Sequence, residues 1–74
     1  KIRMETIQIT TEFIKLQDLM KLADLVGSGG EAKVLILDGQ VSVGGEICLQ
    51  RGRKLRPGDV MTFRGRDYTV AYAD

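Results

Sequence analysis

With 74 residues, 43% of them hydrophobic and 28% charged, this chain is long enough for one small domain and too apolar to be disordered. It contains one cysteine and no histidine, which excludes an internal disulfide and any metal or catalytic site that needs histidine. No apolar run approaches the about 18 residues of a membrane helix. We therefore predict a single domain over residues 1–74, without a membrane segment and located in the cytoplasm.

The net charge of +1 hides an asymmetry along the chain. Residues 1–32 contain four basic and five acidic residues, whereas residues 33–66 contain seven basic and three acidic residues. A positive half on a nearly neutral chain predicts one basic face, because a uniformly cationic protein would spread its charge along the whole sequence.

The first third of the chain predicts a strand and a short helix. Residues 6–10 alternate between polar and apolar side chains, which is typical of a half-buried strand. Residues 10–14 either extend this strand or lead into a helix, and the pattern does not decide between them. The next apolar residues recur at helical spacing and leave Lys15, Asp18 and Lys21 on the solvent side. They are Leu16, Leu19, Met20 and Ala23.

A second helix is predicted after a glycine-rich break at residues 27–30, beginning near Glu31 with Ser28 or Gly29 as its N-cap. Gly39 stands where a left-handed C-cap belongs. The residues predicted to face inward are Ala32, Leu35 and Ile36. Two further apolar residues, Val34 and Leu37, widen this surface, so we expect the helix to be covered on more than one side.

The second half of the chain predicts strands. Residues 40–43 and 46–49 read as a hairpin around Gly44-Gly45, and residues 60–64 and 68–72 read as two more strands joined by residues 65–67. Helices followed by hairpins predict an α+β fold in which two short helices pack on a small antiparallel β-sheet.

The strongest feature of the sequence is the run Arg-Gly-Arg-Lys-Leu-Arg at residues 51–56, which we call the basic segment. A glycine lies inside it and Pro57-Gly58 closes it, so the charges are expected on an exposed connection. Leu55 would anchor it, and in an extended chain alternate side chains point to opposite faces. Such a segment either serves solubility or contacts phosphates, and its density of arginines favours phosphate contact, with RNA as the leading polyanion. The phosphate-binding candidates are Arg51, Arg53, Lys54 and Arg56.

Residues 27–30, which we call the glycine elbow, are a second candidate for phosphate contact. The backbone N–H groups of Gly29 and Gly30 at a helix N-terminus could hold an anion together with Lys33. The favoured interpretation of the elbow is a tight turn between helices, and Lys33 is equally explained as a solvated residue. The two interpretations are compatible.

No catalytic constellation is visible, so we predict that the protein is not an enzyme and needs no metal or cofactor. Ser28, Ser42 and Cys48 have no histidine to activate them. Asp59, after Pro57-Gly58, is best explained as a turn residue that binds backbone N–H groups. Tyr68 and Tyr72 could stack on bases, but their spacing places them on one strand face, where core packing is favoured.

The order of these parts resembles a known family, the RNA-binding domain named after small-subunit ribosomal protein S-four, also called the αL motif, and in particular its small standalone members of the YaaA and YbcJ type. The residues that carry the resemblance are Leu16-x-x-Leu19, Ser28 to Lys33, Leu37-x-Gly39-x-Val41-x-Val43-Gly44-Gly45, Arg51 to Leu55 and Gly58-Asp59. The resemblance implies RNA binding by the two-helix face and the following hairpin, through Ser28, Lys33, Arg51, Arg53 and Lys54. Two departures are Gly29, where the wider family has arginine, and Gly44, where it has asparagine.

We therefore predict a monomeric RNA-binding protein that contacts structured or ribosomal RNA through phosphates. It would act in translation or ribosome biogenesis, with the ribosomal subunit as a further candidate partner. The alternative is a protein-interaction module without nucleic acid. It would dock a partner on an exposed sheet edge or near Met20 and Val26.

Overall fold

A computed structural model describes residues 3–73, and residues 1, 2 and 74 of the predicted domain lie outside this description. The elements along the chain are β1 (Arg3–Ile9), β2 (Ile14–Lys15), α1 (Leu16–Leu22), α2 (Gly29–Leu37), β3 (Val41–Val43), β4 (Glu46–Ile47), β5 (Lys54–Leu55), β6 (Val60–Phe63) and β7 (Arg66–Tyr72). Two helices pack on a small, mostly antiparallel sheet, so the predicted fold class is confirmed.

The main sheet has five strands in the order β1-β7-β6-β3-β4. Its inner pairs are antiparallel, but β1 and β7 run parallel, with Ile7 opposite Val70. Parallel neighbours require a long crossover, and here both helices and the intervening strands supply it. The first and last strands of the chain therefore meet, which strand periodicity alone does not reveal.

Two tight hairpins organise the antiparallel part of the sheet. The β3–β4 turn is Gly44-Gly45, as predicted, with φ angles of +62° and +86°. These left-handed angles define a type I′ turn, in which glycine is free of the steric cost that a side chain incurs. The β6–β7 turn is shorter than predicted and consists of residues 64 and 65, because β7 already begins at Arg66.

The core lies between the helices and one face of the sheet. The two helices contribute Leu16, Leu19, Met20, Ala32 and Ile36, and the sheet contributes Val41, Met61, Phe63, Tyr68 and Val70. The expectation that α2 is covered on more than one side is wrong, because Val34 and Leu37 remain 66% and 56% exposed. A chain of this size forms only two layers, so no third element reaches the outer side of α2.

The ends of α2 follow the predicted capping pattern. The Ser28 Oγ accepts a hydrogen bond from the Glu31 N–H at 3.2 Å, and the Glu31 carboxylate accepts one from the Gly27 N–H at 2.8 Å. This reciprocal arrangement satisfies two N–H groups at the helix start. At the other end Gly39 has a φ of +79° and closes a left-handed C-cap.

Residues 10–14, which the sequence pattern left undecided, lead into β2, and β2 pairs with β5 in a separate two-stranded sheet. Ile14 lies opposite Leu55, and Lys15 opposite Lys54. Strands of two residues have no measurable periodicity, so the sequence did not indicate them. This small sheet attaches the basic segment to the rest of the fold.

Candidate nucleic-acid interface

The main chain of the basic segment is fixed to the N-terminus of α1. The Leu16 N–H donates to the Arg53 carbonyl at 2.8 Å, and the Gln17 N–H donates to the Arg51 carbonyl at 3.1 Å. The N-cap residue Lys15 makes no side-chain cap bond. The two carbonyls therefore satisfy helix N–H groups that would otherwise have no partner, while the side chains of Arg51 and Arg53 stay exposed.

Leu55 is the predicted anchor of the basic segment, and it is fully buried. The residues on either side of it turn outward, and both face Phe13. The Lys54 Nζ lies 4.7 Å from the centroid of the Phe13 ring, and the Arg56 guanidinium carbon lies 5.8 Å from it. Each contact is worth about 0.5–1 kcal/mol when exposed. Phe13 thus contacts two cations, and no sequence signal assigned it to the site.

Lys15 joins this cationic face. The helical spacing predicted Lys15 on the solvent side of a helix, but this residue lies in β2, directly opposite Lys54. Directly opposite residues of an antiparallel pair point to the same side, and like charges there are destabilising. An anion between the two ammonium groups would remove that repulsion. Lys15, Lys54 and Arg56 with Phe13 therefore form what we call the cationic cluster, and a two-residue strand gave no sequence signal for it.

The chain itself does not neutralise these charges. Within residues 4–73 the single salt bridge joins Lys21 to Asp18 at 3.3 Å, and it includes no residue of the basic segment. Asp59 accepts a hydrogen bond from the Arg56 backbone N–H at 2.8 Å, as its predicted turn role requires. Its carboxylate is thus engaged with the main chain, and the exposed cations are available to an external anion.

The glycine elbow also presents unused donors. Among the hydrogen bonds of the described residues, none is donated by the Gly29 or Gly30 N–H. A Cβ atom on Gly29 would meet nothing within 4 Å, so this helix start is open to an approaching group. Lys33 is exposed. The helix begins at Gly29 and not at Glu31, so Lys33 lies two residues further into the helix than predicted.

The eight predicted contact residues fall into two groups at opposite ends of α1. The basic segment meets its N-terminus, whereas Ser28, Gly29, Gly30 and Lys33 follow its C-terminus. A seven-residue helix is about 10 Å long. A ligand that contacts both groups must therefore extend along α1.

Two other expectations are corrected by burial. Met20 and Val26 are 0% and 6% exposed, so they cannot form the docking region suggested for a protein partner. Tyr68 is in the core, as predicted, but Tyr72 is 54% exposed near the end of β7. The exposed sheet edge at β4 remains, with Ile47 at the surface.

The described part of the chain shows three further features. No helix there is long and apolar enough to cross a bilayer. Residues 3–73 bring together no set of three side chains suited to hold a metal ion. Cys48 is buried and packs in the core.

Known proteins resemble this chain in sequence. The family model described as the S4 domain matches residues 7–71. The chain is 46% identical over 59 residues to a probable ribosome maturation protein, RlbA, of Bacillus subtilis strain 168, covering 80% of this chain and 83% of the relative. It is 35% identical over 57 residues to a putative RNA-binding protein, YbcJ, of Escherichia coli K12, covering 77% and 81%.

Solved structures show the same arrangement of elements. The solution structure of YbcJ from E. coli, described as having an αL motif involved in RNA binding, superimposes with a TM-score of 0.70 at 31% identity, covering 93% of this chain and 89% of YbcJ. The 30S ribosomal protein S4e of Thermoplasma acidophilum gives a TM-score of 0.65 at 25% identity. Our chain covers 34% of that protein, which is therefore much longer.

Proposed function

Because this chain belongs to the S4 domain family, we propose that it is an RNA-binding protein whose partner is a structured RNA, with ribosomal RNA and the ribosomal subunit as the first candidates. It acts as a monomer in the cytoplasm, in ribosome biogenesis or translation. The relatives described as a ribosome maturation protein and an RNA-binding protein support this direction.

One observation carries the proposal. The basic segment is held rigidly against α1 by main-chain hydrogen bonds, and its side chains, together with Lys15, remain exposed and without a carboxylate partner inside residues 3–73. A solubility loop needs no such fixation. A phosphate-binding segment does benefit from it, because a main chain that is already ordered loses less entropy on binding.

The path of the RNA follows from the two groups of donors. Arg51, Arg53 and the cationic cluster would contact phosphates at the N-terminal end of α1. The free N–H groups of Gly29 and Gly30, with Lys33, would hold another phosphate near its C-terminal end. Contacts of this kind recognise the shape of an RNA and carry little sequence information.

Crosslinking in cells tests the proposed function directly. Ultraviolet crosslinking followed by sequencing of the attached RNA is expected to enrich ribosomal or other structured RNA, and mass spectrometry of the crosslinked peptides is expected to find residues 13–15 and 51–56. Recovery of protein partners that survive nuclease treatment, without crosslinked RNA, would instead support the protein-interaction alternative.

Lys15 offers a sharper test of the cationic cluster. We expect Lys15→Gln to lower RNA affinity by about 5-fold, the loss of one charged contact, while leaving the melting temperature unchanged or slightly higher, because the repulsion with Lys54 is relieved. Filter binding and thermal unfolding measure the two effects.

The matched control is Lys21→Gln, which removes an equal charge from an exposed residue that pairs with Asp18. It should leave RNA affinity within about 2-fold of the unmodified protein, because the Asp18 carboxylate already offsets the Lys21 charge. Equal losses in the two variants would mean that only total charge matters and that the cluster is not a contact site.

A further inference from the structure

A cleft of about 360 Å³ lies between the end of α1 and the β6–β7 hairpin. It is lined by Asp24, Leu25, Phe63, Arg64, Arg66 and Tyr68. Its size falls in the range of small-ligand sites. None of these residues belongs to the basic segment, the cationic cluster or the glycine elbow.

Asp24 occupies a backbone position that favours glycine. It has a φ of +62° and follows the last turn of α1, where the Asp24 and Leu25 N–H groups donate to the Lys21 and Met20 carbonyls. The same left-handed cap ends α2, and there the residue is Gly39. A carboxylate at this place also lies at the negative end of the helix dipole. Aspartate tolerates the left-handed backbone, but its negative charge is unfavourable at this end of the helix, so the cap alone does not explain the residue.

Arg64 shows the same conflict in the hairpin. It is the first residue of the β6–β7 turn and has a φ of +52°, followed by Gly65 at +79°. The equivalent β3–β4 turn has Gly44 in that position. Type I′ turns favour glycine, asparagine and aspartate at this position. An arginine there carries a conformational cost that the turn itself does not require.

These two residues are the only ones other than glycine with positive φ in the described range, and both line the same cleft. Strained residues concentrate at binding sites, where the side chain is needed in spite of the backbone cost. The coincidence of two such residues on one cleft points to a ligand that uses both side chains.

The side chains of the cleft offer complementary chemistry. The Arg64 guanidinium lies 4.8 Å from the centre of the Phe63 ring and reaches Gln40 Oε1 at 3.5 Å, so its position is partly fixed. Arg66 lies on the same face of β7 as Tyr68. Asp24 forms no salt bridge with either arginine in the described structure. The cleft thus presents two guanidinium groups and one carboxylate, and none of them forms a salt bridge within the described residues.

We propose that this cleft binds one unpaired guanine nucleotide of the RNA, a proposal that rests on the proposed function. Guanidinium groups bind phosphate and stack on bases. Arg66 is therefore assigned to the phosphate and Arg64 to the face of the base. The two oxygens of a carboxylate match the adjacent N1–H and N2–H donors of guanine. Adenine, cytosine and uracil each present fewer donors on that edge, so Asp24 selects guanine.

Titration with mononucleotides tests the cleft without the RNA. Amide shifts of isotopically labelled protein are followed during addition of GMP, AMP, CMP, UMP or inorganic phosphate. GMP is expected to shift residues 24, 25 and 64–66 and to bind at least about 5-fold more tightly than the other nucleotides. No shifts at these residues, or phosphate alone binding as tightly as GMP, would overturn the proposal.

Variants separate the roles of the side chains. Asp24→Asn should remove the preference for GMP, and Arg64→Asn should weaken all four nucleotides. Both are expected to leave the melting temperature unchanged or higher, because asparagine suits a left-handed backbone. A GMP preference that survives Asp24→Asn, or a clear fall in the melting temperature of both variants, would show that these residues serve the fold.

The same variants distinguish failure of the cleft from failure of the proposed function. With a structured RNA, Asp24→Asn and Arg64→Asn are each expected to lose about 5-fold in affinity. If RNA affinity is unchanged in both while substitution of the basic segment abolishes binding, the cleft is not an RNA subsite and the proposed function stands. If GMP binds but no RNA does, the proposed function fails.

Discussion

Replacing Arg51, Arg53 and Lys54 together by alanine is expected to lower RNA affinity by at least about 100-fold while the protein stays folded. Three exposed charged contacts at about 1 kcal/mol each amount to about 3 kcal/mol, which is a factor of about 100. The fold should lose no more than about 1 kcal/mol, mainly the Lys54 contact with Phe13.

The fold tolerates these substitutions because the segment is attached by groups that alanine retains. Arg51 and Arg53 bond to α1 through their carbonyls, and Leu55 provides the buried anchor. Filter binding gives the affinity, and circular dichroism with thermal unfolding reports the folded state. Near-normal RNA affinity in the folded triple variant would exclude the basic segment as the binding site.

The conservative double variant Arg51→Lys with Arg53→Lys is the matched control, since it keeps every charge. Lysine lacks the planar fork that grips a phosphate with two hydrogen bonds. We expect the RNA affinity of this double variant to fall by less than about 10-fold. A loss as large as that of the triple alanine variant would mean that guanidinium geometry, and not charge, dominates the contact.

Salt should weaken RNA binding steeply. If about four of the exposed cations contact phosphates, the logarithm of the binding constant falls against the logarithm of salt concentration with a slope of about −3 to −4. Between 50 and 200 mM salt, that slope corresponds to a loss of about 60- to 250-fold. Fluorescence anisotropy with a labelled structured RNA measures the slope.

The triple alanine variant links the two experiments. It should reduce the magnitude of the slope by about 2 to 3, because each lost phosphate contact removes nearly one unit. An association of the unmodified protein that does not respond to salt would contradict phosphate binding. It would favour a protein partner on exposed apolar residues such as Val34 and Ile47.

Local sequence patterns predicted the elements that have their own periodicity or turn chemistry. The helical spacing of Leu16, Leu19 and Met20 placed α1, and Gly44-Gly45 placed the first hairpin. Gly39 marked the end of α2. These features depend on a few neighbouring residues, so a single sequence contains the information.

Elements that depend on a distant partner were not predictable in this way. The parallel pairing of β1 with β7 joins residues more than sixty positions apart, and β2 and β5 are strands of two residues. The exposure of Val34 and Leu37 depends on the absence of a third layer. Each result depends on how elements pack, and side-chain periodicity does not contain that information.

The candidate site also combines features predicted from local sequence with features that depend on tertiary packing. The sequence by itself determined an α+β fold with a cationic run at residues 51–56 and an apolar anchor at Leu55, because these are properties of composition and short-range order. Only the tertiary structure placed Lys15 opposite Lys54, which contacts the Phe13 ring. Only the tertiary structure also placed Asp24 and Arg64 at one cleft. Charges far apart in sequence become one binding surface only when packing brings their elements together.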